Sequence, residues 1–231
     1  MILRGFFAIE LHSGFDELEE YLKITEEYLQ KAEKDFDIHV EEQVKKLSSA
    51  DLPSEELDEM NEFYGEKHWD YAETFPRILR SSFFVSAYSL LEHKMATICG
   101  WLKKDKQIAI SWGDLKGDTL DQFKSYCKLA HLGLSYNSQT WQEIQHYSRL
   151  RNCIVHNRGL FKGAKQEKEL RAYAESKNII DDTLIGLSIR PQAQIALTEG
   201  FCKEVTKTVW VFLKKVLDAY ELQKQNQKAD D

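Results

Sequence analysis

The eleven residues RLRNCIVHNRG, Arg149 to Gly159, hold three arginines, two asparagines and one histidine around a short apolar run, Cys153, Ile154 and Val155. Arginine carries a permanent charge on a fixed fork of donors that matches a phosphate, and histidine gains or loses a proton near neutral pH. Asparagine can orient the histidine or bond a ribose or phosphate oxygen. Together these groups suffice for metal-independent cleavage of RNA. A base takes the proton of a ribose 2′-hydroxyl, that oxygen attacks the adjacent phosphate, and a guanidinium stabilises the developing charge. The same residues also suit the polar end of an ordinary helix, where a histidine interacts with the last carbonyls.

The helix that would carry this stretch constrains its geometry. At roughly 100° per residue, Asn152 and His156 stand one turn apart on one face, while Arg151 points farther round, almost in register with Arg158. Spacing alone therefore does not bring Arg151 against His156. A narrow cleft can still gather them around one bound group, especially between two copies of the helix.

Charge is distributed unevenly around this motif. The 231 residues carry a formal net charge of −7, which argues against indiscriminate adhesion to nucleic acid or anionic membrane. Acidic residues crowd DELEE, TEEYLQKAEKDFD and SEELDE between Asp16 and Glu59. Between Glu143 and Glu167 there are none, while Arg149, Arg151, Arg158, Lys162 and Lys165 accumulate with His146 and His156. Such a focused positive field can guide a phosphate group; the plainer reading is the mixed charge of long surface helices.

The elements that must position the motif read as helices. Residues 15–49 place Phe15, Leu18, Leu22, Tyr28, Leu29, Phe36 and Val40 at broadly helical spacing, and SSADLPSEELDE breaks that run and caps another turn. Pro76 marks a kink or a new start. RILRSSFFVSAYSLLEHKMATICGWLKK follows as the strongest core helix, with Phe84, Tyr88, Leu91, Met95 and Ile98 on one stripe. After the loop SWGDLKGD, a shorter helix ends near Gly133. A helix capped by Ser138 or Thr140 and closed by Gly159 then carries the motif in its last two turns. Residues 163–177 suit a charged helix, DTLIGLSIR and AQIALT suit short strands or an extended hairpin across Pro191, and EGFCKEVTKTVWVFLKKVLDAYELQ closes the fold. Expected, then, is an all-α bundle with a short β-hairpin or extended insertion before the C-terminal helix. Its divisions are an acidic helical extension over 1–74, the main domain over 75–222, and a frayed polar tail over 223–231.

The N-terminal MILRGFFAIELHSG is interrupted by Glu10 and lacks the length of a secretion signal or membrane span. Cys99, Cys127, Cys153 and Cys202 are scattered and read as reduced, mostly buried thiols, so a cytoplasmic setting without membrane attachment is expected. Asp118, Asp121, His131 and His146 have no metal-ligand spacing, and neither metal nor cofactor is implied. Trp210, Phe212 and Leu213 suit bundle core or a dimer surface better than a base-stacking platform.

RNCIVH, Arg151 to His156, resembles the signature of the HEPN superfamily (higher eukaryotes and prokaryotes nucleotide-binding domain): an arginine, four to six residues and a histidine, commonly with asparagine after the arginine. SLLEHKM in an earlier apolar helix, NRG after the signature, and IALTEGFCKEVTKTVWVFLKKV as a closing helix are similar to the same family over roughly Phe75 to Tyr220. The resemblance implies a helical bundle, usually a homodimer in which two signature helices meet at the site. Its active members are metal-independent endoribonucleases, many of them toxins or antiviral defence effectors with an antitoxin or defence-system partner. Arg151 and His156 would be the catalytic pair, with Asn152 as polar support and Arg149 and Arg158 on the RNA-binding surface. Other members bind nucleotides or proteins without catalysis, and that noncatalytic module is the alternative function. One subgroup carries a modifiable tyrosine two positions after the histidine. Arg158 stands there, so that regulation is not carried over. Glu92, on the apolar helix, is placed to hold Arg151, to orient His156 through a water, or to serve as an ordinary structural ion pair.

Overall fold

The computed structural model describes residues 9, 10, 12–47, 54–182 and 193–230. Its helices are α1 (Phe15–Leu47), α2 (Ser54–Trp69), α3 (Phe75–Asp105), α4 (Thr119–Leu129), α5 (Gln139–Asn157), α6 (Glu167–Ser176) and α7 (Glu199–Asp230). The architecture is all-α, with one very small sheet. None of the described helices is long and apolar enough to cross a membrane.

Helix α3 forms the centre. Phe83, Phe84, Ala87, Tyr88, Leu91, Met95, Ile98, Cys99 and Leu102 are buried along it, and α1, α4, α5 and α7 pack around it. Helix α7 supplies Phe201, Val205, Val209, Phe212, Leu213, Val216 and Tyr220 at three- and four-residue steps. Phe212 and Leu213 are therefore core, while half-buried Trp210 packs edge-on against His12. All four cysteines are free and buried.

The acidic α1 is built into this bundle. Phe15 and Leu22 belong to the same apolar core as α3 and α7. Between them and Leu29, buried Glu26 accepts two hydrogen bonds from Arg80 of α3, at 2.7 and 2.8 Å. The two helices are thus joined by a bidentate ion pair as well as by apolar contact.

Several boundaries differ from those the sequence suggests. Pro76 neither breaks nor restarts the helix: α2 runs through a π-helical turn, Asp70–Thr74, directly into α3. A wide turn before proline accommodates a ring that would clash in a regular α-helix interior. Helix α4 stops at Leu129, and the left-handed residue beyond it is His131, with φ of 55°, rather than Gly133. The tail expected from residue 223 is instead the last part of α7. Gln223 donates to the carbonyls of Ala130 and His131 at 2.8 and 3.0 Å, and Lys224 pairs with Asp105 at 2.7 Å.

The short hairpin expected before the C-terminal helix is present. β1 (Ile180–Asp181) and β2 (Gln194–Ile195) pair antiparallel, Ile180 opposite Ile195; residues 183–192 of the expected hairpin lie outside the described residues. Strand β2 also binds the chain leaving α5, through Ile195 N–H to the Gly159 carbonyl at 2.8 Å. This contact fixes the C-terminal end of the motif helix.

Candidate active site

Helix α5 begins where its sequence says it should. Ser138 in extended conformation accepts a hydrogen bond from Trp141 N–H, satisfying a free donor of the first turn. Trp141, Ile144, Tyr147, Leu150 and Cys153 are buried and set the helix rotation. The end is less usual. Arg158 takes the left-handed conformation, φ 54° and ψ 32°, and Gly159 N–H returns to the Cys153 carbonyl at 3.1 Å.

This rotation splits the motif between two faces. His156, Asn152 and Arg149 line one groove of about 390 Å³. Further polar lining comes from Gln145 and Ser148 of α5, from Asp118 and Asp121 at the start of α4, and from the turn 163–166 before α6. One part of the rim is cationic, from Arg149 and Lys165, and another is acidic. Asp118 caps α4 by accepting from Asp121 N–H at 3.0 Å. Gly117 adopts φ of 107°, and a Cβ there would stand 2.7 Å from the Asp121 Cβ, so only glycine fits this approach.

Arg151 faces the other way and does not line that groove. Its Nη2 lies 3.9 Å from Glu92 Oε2 on α3, each side chain about a quarter exposed at 28% and 26%. Its Nη1 donates to Asn152 Oδ1 at 3.0 Å. Among the described residues, its buried Nε has no hydrogen-bond partner. Asn152 consequently touches both halves: it holds Arg151 through its amide oxygen while its side chain lines the groove of His156.

Arg158 is exposed and lines a different groove, beside Arg77 of α3. Exposed His93 lies next to Glu92 in sequence but lines neither of these grooves. His146 stacks face to face on Tyr173 of α6, with centroids 4.0 Å apart and planes at 7°. Burial, followed by the nearby Arg149 charge, holds its pKa below the ordinary histidine value. Behind it, Tyr173 donates to Glu143 at 2.6 Å, and Lys177 bridges Glu143 and Glu204 at 3.3 and 2.5 Å. This network braces α5 against α6 and α7. Burial also pushes the Cys153 thiol up to about 11, so it is a poor nucleophile at neutral pH.

Sequence reasoning missed the acidic rim. Asp118 and Asp121 carry no metal-ligand spacing, and only their approach to α5 makes them part of the groove. Among the described residues, no three His, Cys, Asp or Glu side chains are grouped as a metal site.

The molecule is thus an all-α bundle whose fifth helix presents a histidine–asparagine–arginine face to a polar groove and a second arginine to a glutamate behind it. No protein-family model, curated protein or solved structure matches the chain.

Proposed function

We propose that the chain is an endoribonuclease of the HEPN type that cleaves RNA without a metal. The observation that carries this reading is Asn152, which bonds Arg151 while lining the same groove as His156 and Arg149. His156 takes the proton of a ribose 2′-hydroxyl as that oxygen attacks the adjacent phosphorus. The bond from phosphorus to the 5′-oxygen breaks, that oxygen takes a proton from water, and the products end in a 2′,3′-cyclic phosphate and a 5′-hydroxyl. Guanidinium groups stabilise the charge gathering on the phosphoryl oxygens.

Arg149 stands in the groove of its own His156, whereas Arg151 reaches a shared phosphate most readily across a homodimer in which two α5 helices meet. Exposed Val155, at 46%, supplies apolar surface on that helix. The biological role that fits is a cytoplasmic toxin or defence effector held by an antitoxin or defence-system partner.

A specific observation favours a second reading. The Glu92 pair holds Arg151 outside the histidine's groove, which suits a noncatalytic module that binds nucleotides or proteins. The test is incubation with a panel of structured RNAs in EDTA, with mass analysis of product ends, for wild type, His156→Ala and Arg151→Ala. Cyclic phosphate ends from wild type, lost in both folded variants, are expected. Intact RNA bound by the wild-type dimer would transfer the assignment to the noncatalytic module.

A further inference from the structure

A second groove of about 490 Å³ lies on the opposite side of α5 from His156, between α3 and the chain entering the small sheet. Arg77, Ser81 and Ser82 contribute from α3, Ile78 and Ile154 form apolar surface, and Arg158 completes the cationic lining. Among the described residues, no carboxylate lines it and neither Arg77 nor Arg158 has an ion-pair partner. In a chain of net charge −7, Arg80, Arg151 and Arg171 each face a carboxylate, and Arg149, which has no ion pair among the described residues, lines its groove with Asp118 and Asp121; the Arg77–Arg158 groove has no carboxylate among its lining residues. Two guanidinium groups facing one groove repel each other unless an anion lies between them.

Arg158 adds an independent observation. It occupies the left-handed position at the end of α5, where glycine is the usual occupant and a long side chain is strained. Glycine follows at once, so the turn does not require arginine for its geometry. What arginine adds there is a fork of donors lining the same groove as Arg77.

We infer that the Arg77–Arg158 groove is a second RNA subsite, holding a backbone phosphate of a nucleotide flanking the cleavage site, with the ribose or base against Ile78 and Ile154. The arginines bind phosphate oxygens, the serine hydroxyls add neutral donors, and exposed Ile78 offers a dry contact to a sugar or base face. The groove is separated from His156 by about the 10–12 Å width of a helix, so the strand passes from one side of α5 to the other over a few nucleotides. The acidic α1 and α2 repel RNA from their own faces.

The subsite rests on the ribonuclease reading for its ligand, but its test is binding and needs no cleavage. Fluorescence anisotropy would follow a ladder of single-stranded 2′-O-methyl oligoribonucleotides, which cannot supply the attacking hydroxyl. The full chain would be compared as wild type, Arg77→Ala, Arg158→Ala, Arg158→Gly and His156→Ala. Wild type is expected to gain affinity in a step as the ladder lengthens. Each arginine variant is expected to lose that step and to flatten the slope of log affinity against log salt by about 0.7, the release expected for one single-strand phosphate. Arg158→Gly guards against misfolding, because glycine suits the turn; it must lose the step while melting no lower than wild type.

Wild-type affinity and salt slope in the arginine variants would overturn the subsite, even if EDTA-resistant cleavage requires His156. The step without any cleavage of unmodified RNA would uphold the subsite and reject only the catalytic reading. Competition by inorganic phosphate or a mononucleotide that abolishes the step would overturn the RNA track in favour of a small-anion site. Dissociation of a dimer by the Arg77→Ala and Arg158→Ala variants in sedimentation would overturn it in favour of a subunit interface.

Discussion

Replacing Glu26 with alanine tests whether the acidic α1 is part of the bundle or a detachable extension. The Glu26 side chain is 4% exposed and Arg80 25%, and two charge-assisted hydrogen bonds of 2.7 and 2.8 Å join them. Glu26→Ala leaves the guanidinium largely buried without its partner. Breaking a fully buried pair in this way costs about 3–5 kcal/mol, and the partial exposure of Arg80 brings the expectation to about 3 kcal/mol. For a chain of this size that lowers Tm by roughly 6–12 °C. Thermal melts followed by far-UV circular dichroism would show one cooperative transition displaced downwards, because Phe15 and Leu22 share the core of α3 and α7. The double variant Glu26→Leu, Arg80→Met should recover most of the loss, since a well-packed apolar pair replaces two buried charges. A shift of Glu26→Ala below about 2 °C, or a separate early transition that leaves the main one in place, would refute the reasoning.

Other expectations concern α5 and its neighbours. His146 has its pKa lowered by burial and then by Arg149, so its protonation disfavours the folded state. The sign follows: its contribution is present above the ordinary histidine pKa and is lost as pH falls through the lower, folded value. Urea midpoints should therefore decline less between pH 7 and pH 5 in His146→Phe, which keeps a ring on Tyr173, than in wild type. Arg158→Gly relieves a left-handed strain of about 1–2 kcal/mol, partly offset by the greater freedom of glycine in the unfolded chain. Its melting temperature should rise by roughly 1–3 °C, read by calorimetry. Glu92→Gln removes a partly exposed pair with a 3.9 Å separation, worth at most about 1 kcal/mol. Its Tm should stay within about 3 °C of wild type; on the proposed ribonuclease reading, in which Arg151 serves the groove of a partner protomer, kcat for RNA cleavage falls through lost positioning of Arg151, and unchanged kcat would reduce Glu92 to a structural ion pair.

The helical elements were legible because their apolar residues repeat at the period of a helix. Phe84, Tyr88, Leu91, Met95 and Ile98 announce α3, and all of them are buried. Ser138 before Trp141 marks the start of α5, since a hydroxyl there satisfies a first-turn amide whatever else the protein does. The angular separation of Arg151 from His156 also follows from the helix repeat alone. Endings were less legible because they depend on partners distant in sequence. Helix α7 continues past Tyr220 where Gln223 finds the carbonyls of Ala130 and His131.

Residue types and local periodicity determined which side chains could do chemistry and which face of α5 each would occupy. The tertiary structure alone decided what stands opposite those faces, Asp118, Asp121 and Lys165 across from His156 and Arg77 beside Arg158, and among the roles open to Glu92 it brought that carboxylate to Arg151. A helix repeat sets an angle about one axis, whereas a groove needs the relative placement of several axes, and that is set by core packing summed over the whole chain.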